Sequence, residues 1–429
     1  MSGDPKAEPQ RPTSGDNRDA WSAYWTARGM PWRTEPEVDE ERQSYLTRRR
    51  AVKPDIEQGI YPFRDERGSI RLTRADVEWL LDTHESGGVR GPVRWDDAKQ
   101  QHRQGLDVRG AHLGGADISA LPLACTRAAL TEAEARVATS QQVRLAAVHL
   151  EQANLRTAQL QGALLAWGRL DAADLTDADL TGADLFAAHL EGANLTAVQL
   201  SGANLENAFF DASTYLSHTR VSTRDHGGFV VADVRWAGVN LTRVEWAPLR
   251  VLGDERRAHQ RRTPEGRAKT RQEQLTDFQG AVRASLQLAL ALRSQGLSEL
   301  ADRFTYRAHV CQRVVARRQR QYLRYAGSLL LWLVAGYGYK PLRSLLTYLA
   351  VVTGFAVAYF LLGPAAGVRF LPLDAAVFSI TSFHGRGFMP GEAFTLHSVI
   401  AVLAALEAVL GLLIEITFIA TFTQRVFAR

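Results

Sequence analysis

Leucine recurs at every fifth position through the middle of the chain, at Leu145, Leu150, Leu155, Leu160, Leu165, Leu170, Leu175, Leu180, Leu185, Leu190, Leu195, Leu200 and Leu205, and Phe210 continues the series. Two residues before most of these stands a small side chain, such as Ala153, Ala173, Ala183, Ala193 or Ala203, and the residue between is often Asn or Asp. A period of five fits neither a helix nor a single strand. Residues two apart share a face of an extended chain, so each Ala–Leu pair can turn inward while the residue between them faces out. The remaining two residues, with glycine at Gly162, Gly182, Gly192 and Gly202, would then turn a corner. Repetition of this unit predicts a solenoid whose stacked coils bury a continuous core. The same spacing opens earlier, at Val108, Leu113, Ile118 and Leu123, and residues 124–140 read as an inserted loop or helix. The phase is lost after Phe210 and returns in part at Leu241 and Trp246.

Other periodicities flank this region. Residues 1–18 are polar and predict a disordered tail. Residues 19–105 read as a partly helical cap for the first coil, with Trp21, Tyr24, Trp25 and Trp32 early on and a helix start at Thr73-Arg74-Ala75-Asp76. The solenoid is expected over 106–250, with its core at 141–213, followed by a basic linker over 251–270. Residues 271–325 predict two cytoplasmic helices around Gly296, the second rich in arginine. The apolar stretch within 326–341 is too short to span a bilayer and predicts an interfacial helix, with Trp332, Tyr337 and Tyr339 at headgroup level. Two longer apolar stretches follow, predicting membrane spans over 342–363 and 395–425, with a short helix and loop over 373–390 between them.

The repeat resembles the pentapeptide-repeat family, whose pattern is Ala-(Asp/Asn)-Leu-x-x. The resemblance implies a right-handed quadrilateral β-helix with four repeats per coil. The C-terminal part, from Thr381-Ser382-Phe383-His384-Gly385-Arg386-Gly387-Phe388 to Glu407 and Gly411, resembles the two-helix, pore-loop potassium-channel superfamily. That likeness implies a fourfold assembly, a filter in which Ser382 is the first hydroxyl and Gly385 and Gly387 are the two glycines, and support behind the pore from Glu407. Where that superfamily has a small apolar residue, an aromatic and an acid, this chain has His384, Arg386 and Phe388, so potassium selectivity is not expected.

The fold class is therefore multidomain: a β-helix, an α-helical linker and a two-helix, pore-loop transmembrane domain. Charge refines the picture. The net charge is +5, yet Ser140–Thr214 holds three arginines against nine carboxylates. Arginine concentrates between Arg256 and Arg324, immediately before the apolar stretches, which reads as a cytoplasmic flank facing lipid and not as a nucleic-acid surface. With two spans both ends lie on one side, and Arg343, Arg425 and Arg429 make that side the cytoplasm. Cys125 and Cys311 have no metal or disulfide spacing. No nucleophile elbow, zinc helix or dinucleotide fingerprint is present, so neither an enzyme nor a cofactor is expected.

The membrane residues carry the candidate chemistry. Arg386 in the membrane would need water or a partner, and an Arg386–Glu407 pair is the preferred arrangement, with Glu392 as the other candidate. Glu415 admits two readings, a cavity carboxylate that attracts cations or a residue buried against Thr417 or Thr421. His384 is either a pH-sensitive group or a structural hydrogen-bond partner. These features point to an oligomeric channel in the cell membrane, a homotetramer by resemblance, for an inorganic ion. Its cytoplasmic solenoid would be a sensor or a dock for a protein partner. The alternative is a non-conducting scaffold whose solenoid binds a protein.

Overall fold

The structure is a computed structural model that describes residues 11–13, 17–263, 266–339, 341–386 and 398–427. The chain forms two compact units, one ending at Leu297 and one beginning at Ser298.

In the first unit, helices α1 (Arg18–Ala27) and α2 (Glu40–Arg50) start at Asn17 and Asp39, whose side chains accept backbone N–H bonds of the first turn. Helix α3 (Arg74–Asp82) starts with a capping box made by Thr73 and Asp76. This region caps the solenoid. The strand Gly68–Arg71 adds in parallel to the first coil, with Ile70 opposite Ala111, and Val77 of α3 lines the same interior as Val108, Leu113 and Ile118. Trp21 stacks on Trp25, Tyr24 meets both edge to face, and the Arg33 guanidinium lies 3.6 Å above the Trp25 ring.

The period of five is written into the backbone. Gln152, Thr157, Gly162, Trp167, Ala172, Asp177, Gly182, Ala187, Gly192, Ala197, Gly202 and Asn207 all have φ between 51° and 70°. Every fifth residue is thus a left-handed corner, whether or not it is glycine. A left-handed L-residue costs about 1–2 kcal/mol. Most corner amides offset this by bonding the backbone of the coil above, as in Ala172 N to Glu191 O (2.8 Å) and Asp177 N to Thr196 O (3.0 Å). Four ladders of parallel bridges run up the faces, for example His149–Arg169–His189–Phe209 and Asp179–Gln199–Arg220–Glu245. The Ala and Leu columns are almost entirely buried.

Three features differ from the sequence expectation. The interruption expected over 124–140 falls later. Cys125 is still a corner and Arg127 still pairs with Leu164; the inserted helices are α4 (Glu132–Val137) and α5 (Ser140–Ala146), each opened by a capping box. Past Phe210 the coils do not stop. Asn194 pairs with Tyr215 where strict phase would place Thr214, and a small hairpin of Ser222–Thr223 with Gly227–Gly228 shifts the phase again. The linker expected over 251–270 contains α6 (Gly253–His259), and α7 (Arg271–Ser294) closes the C-terminal end of the solenoid. Gln287 Oε1 accepts Asp233 N (2.9 Å), Gln295 Oε1 accepts Leu241 N (2.7 Å), and Arg283 pairs with Asp233 at 2.9 Å. These side chains satisfy backbone groups that the last coil would leave open.

The second unit is helical. It contains α8 (Ser298–Arg318), α9 (Tyr322–Ala335), α10 (Pro341–Leu362), α11 (Pro372–Phe383) and α12 (Val399–Phe427). The interfacial helix expected over 326–341 starts at Tyr322 and ends at left-handed Gly336. Trp332 of α9 lies between the guanidinium groups of Arg313 and Arg343, 4.8 and 4.7 Å from its ring. Within α10 and α12, Leu342–Leu362 and Val399–Ile419 are long and apolar enough to cross a membrane; 21 residues rise about 31 Å. Little of either stretch is buried within the unit, so their leucines and valines face outward. Such a surface needs an apolar medium or a partner.

Candidate functional site

Helix α11 has 12 residues and rises only about 18 Å, too short to span a bilayer. Pro372 sits in its first turn, and Asp374 accepts the Leu371 amide. It packs against both α10 and α12.

One carboxylate ties the three helices. Glu407 of α12 is fully buried. The Tyr359 hydroxyl of α10 donates to Glu407 Oε2 at 2.6 Å, and the Ser379 hydroxyl of α11 donates to Oε1. Ser379 also lies 2.9 Å from the Val352 carbonyl; with one proton it serves only one of the two acceptors at a time. Phe370, Phe378 and Ile400 pack around Tyr359. The Arg386–Glu407 pair expected from sequence is therefore corrected: both oxygens of Glu407 are engaged by hydroxyls, and Arg386 is exposed. Neutral donors from adjacent helices satisfy the carboxyl without bringing a second charge into an apolar bundle.

One turn further along α12, Gly411 receives the end of α11. A Cβ there would overlap the Phe383 carbonyl oxygen and lie 2.8 Å from its carbon. Phe383 is buried with its ring edge against Tyr348 at 4.8 Å.

The expected filter residues divide. Thr381, Ser382 and Phe383 belong to the last turn of α11. His384 follows, and Gly385 takes φ 66°. The Gly385 amide donates to Ser382 O and the Arg386 amide to Thr381 O, both at 2.9 Å. This double closure is a Schellman motif, in which a left-handed glycine ends a helix. Gly385 thus has a capping role, and the carbonyls of Thr381 and Ser382 are spent on backbone bonds instead of facing an ion. Gly387, Phe388 and Glu392 lie outside the described residues.

Two half-exposed polar side chains meet beyond the helix end. His384 Nδ1 is 2.8 Å from the Ile380 carbonyl, and its Nε2 is 3.3 Å from Glu415 Oε1 of α12. A carbonyl only accepts, so Nδ1 carries a proton, and Nε2 is the atom that shares with Glu415. The sequence left each of these residues with two readings; the structure makes them partners. Thr417 bonds its own helix backbone, to Leu413 and Ile414 carbonyls. A cavity of about 610 Å³ lies among α8, α9 and α12, lined by His309, Gln312, Arg313, Leu331, Tyr337 and Thr417 among others. Arg313 Nη1 is buried without a hydrogen-bond partner among the described residues.

Comparison with known proteins bears on the solenoid. The sequence pattern described as pentapeptide repeats matches in eight copies, over residues 141–177 and 173–211. Among solved structures, HetL, a pentapeptide repeat protein involved in heterocyst differentiation regulation from the cyanobacterium Nostoc sp. strain PCC 7120, is 24% identical with a TM-score of 0.22, over 32% of this chain and 52% of that one. Rfr23, a pentapeptide repeat protein from the cyanobacterium Cyanothece 51142, is 29% identical with a TM-score of 0.12, over 21% and 57%. A third, alr5209 from Nostoc, is 28% identical with a TM-score of 0.17, over 29% and 84%. The chain thus spans little more than half the length of the first two. No curated protein sequence matches it.

Proposed function

We propose that this chain, whose residues 141–211 are pentapeptide repeats, is an oligomeric ion channel of the cell membrane with a cytoplasmic solenoid that senses a ligand or docks a protein partner. The observation that carries the reading is a short helix held between two long apolar ones, its C-terminal end beside Glu415. Helix C-termini carry partial negative charge, which favours a cation nearby. Among the described residues, His384, Glu415 and Arg386 bring polar groups to this end, and polar groups at membrane depth mark ion pathways. Fourfold symmetry follows from the resemblance to pore-loop channels. With α10 and α12 read as spans, both chain ends fall on one side of the membrane, and the arginine-rich α8 before the first span favours the cytoplasm as that side. The cavity beside Arg313, whose Nη1 has no hydrogen-bond partner among the described residues, supports contact with anionic headgroups there. The test is ion flux from proteoliposomes. Glu415→Gln and His384→Gln are expected to change flux or its ion preference, and flux equal to that of empty vesicles would sink the channel reading.

A second reading, a membrane-anchored scaffold without conduction and with a protein-binding solenoid, draws support from the Schellman closure, which uses two carbonyls that a filter would need. The same flux assay separates the two.

A further inference from the structure

The ladder His149–Arg169–His189–Phe209 runs up one side of the solenoid. Two residues further along each coil stand Glu151, Asp171, Glu191 and Asp211, a second column on the same side. The two columns interact: His149 Nδ1 is 3.2 Å from Glu151 and His189 Nδ1 is 3.3 Å from Glu191. Arg169 leans to Glu151 at 2.9 Å and stays 3.9 Å from Asp171. Asp211 is satisfied by the amides of Gly192 and Ser213 and by the Ser213 and Thr214 hydroxyls. The other three are not. Glu151 Oε2, Asp171 Oδ2 and Glu191 Oε2 are each shielded from solvent and have no hydrogen-bond donor among the described residues.

A shielded carboxylate oxygen without a donor is costly, and such atoms in native proteins have a partner such as water or an ion. Three of them on adjacent coils, with one arginine to balance them, leave a deficit of positive charge. At the centre of this column, one ligand atom each from Asp171, His189 and Glu191 lies within 4.8 Å of the others. Bonds of about 2.1 Å in a tetrahedral shell place ligands about 3.4 Å apart, a gap that side-chain torsions can close. The His189 ring is already oriented, stacked on Phe209 at 4.5 Å and 4°.

We propose that Asp171, His189 and Glu191 bind a divalent first-row transition cation on the face of the solenoid. One imidazole with two carboxylates suits zinc or manganese; calcium and magnesium prefer all-oxygen shells. Glu151 and Arg169 flank the site and hold the neighbouring charge in place. Nothing in the channel reading is needed for this site, so either can fail alone.

The experiment is isothermal titration of the untagged, full-length, chelator-treated protein in detergent with ZnCl2, MnCl2 and CaCl2. Saturable one-to-one uptake of zinc or manganese is expected. Asp171→Asn, Glu191→Gln and His189→Phe should each weaken it at least about tenfold, with unchanged circular dichroism; the phenylalanine keeps the stack on Phe209. Should one variant fail to fold, the other two decide. The proposal is overturned if the wild-type protein takes up neither metal, if the folded variants keep wild-type affinity, or if calcium binds as tightly and His189→Phe has no effect.

Discussion

Replacing Glu407 with alanine removes the acceptor for hydroxyls that arrive from two other helices, Tyr359 on α10 and Ser379 on α11. A hydrogen bond to a charged group contributes about 1.5–3 kcal/mol. Ser379 can fall back on the Val352 carbonyl, 2.9 Å away, whereas Tyr359, buried among Phe370, Phe378 and Ile400, exchanges a carboxylate acceptor for the neutral Ser382 hydroxyl beside it. The cavity left by the side chain adds to the loss. The expected destabilisation is about 3–5 kcal/mol, which lowers the melting midpoint by roughly 10–20 °C for a unit of this size. Glu407→Gln is the informative control. Its amide oxygen can accept from Tyr359 while its amide nitrogen donates to Ser379, freeing the Ser379 proton for Val352. It should melt within about 2 kcal/mol of wild type, and Tyr359→Phe should fall between the two. Thermal unfolding of the detergent-solubilised protein reads all three. An alanine variant that melts like wild type, or a glutamine variant as unstable as alanine, would refute the three-helix junction.

Gly411→Ala should cost about 1–3 kcal/mol by overpacking, since its Cβ would lie 2.8 Å from the Phe383 carbonyl carbon; an unchanged melting point would show that α11 does not seat there. Leu185→Ala, at a fully buried rung of the solenoid, should cost about 2–5 kcal/mol, measured as a loss of the β-rich transition in a thermal melt. Burial pushes the Asp254 carboxyl up to about 7, against the Val231 and Ala232 amides that favour its ionised form. The folded state therefore binds this proton more tightly than the unfolded chain. That contribution is fully present below the ordinary aspartate range and is lost as pH rises through about 7. The difference between wild type and Asp254→Asn, compared at pH ~4 and pH ~8, should reach roughly 4 kcal/mol at most; parallel pH profiles for the two proteins would contradict it.

The solenoid was legible because its inward residues repeat with a strict spacing that matches neither a helix nor a single strand. Its irregularities were harder to read. Ala128 takes an inward place where the repeat has leucine, which hides the continuation of the coil past Leu123, and the inserted helices are marked only by the short capping boxes Thr131–Glu134 and Thr139–Gln142. The role of α7 as an end cap rests on two glutamines, and no periodicity marks a side chain that bonds a distant backbone. In the apolar unit, glycines and hydroxyls near a short helix suggested a carbonyl filter. Gly385 serves equally well as a helix stop, and only the backbone angles decide between these uses. A buried acid invites an arginine, but the bundle supplies Glu407 with tyrosine and serine instead. The nearness of Asp171, His189 and Glu191 follows from the coil length, which stacks positions twenty residues apart.

Single-channel recording of the purified protein in planar bilayers under asymmetric KCl tests the central claim most directly. Discrete unitary currents are predicted, with a reversal potential on the cation side if the α11 terminus and Glu415 dominate the pathway, and on the anion side if Arg386 lines it. Silence from protein that is folded and inserted, across pH and lipid composition, would contradict the channel and leave the scaffold.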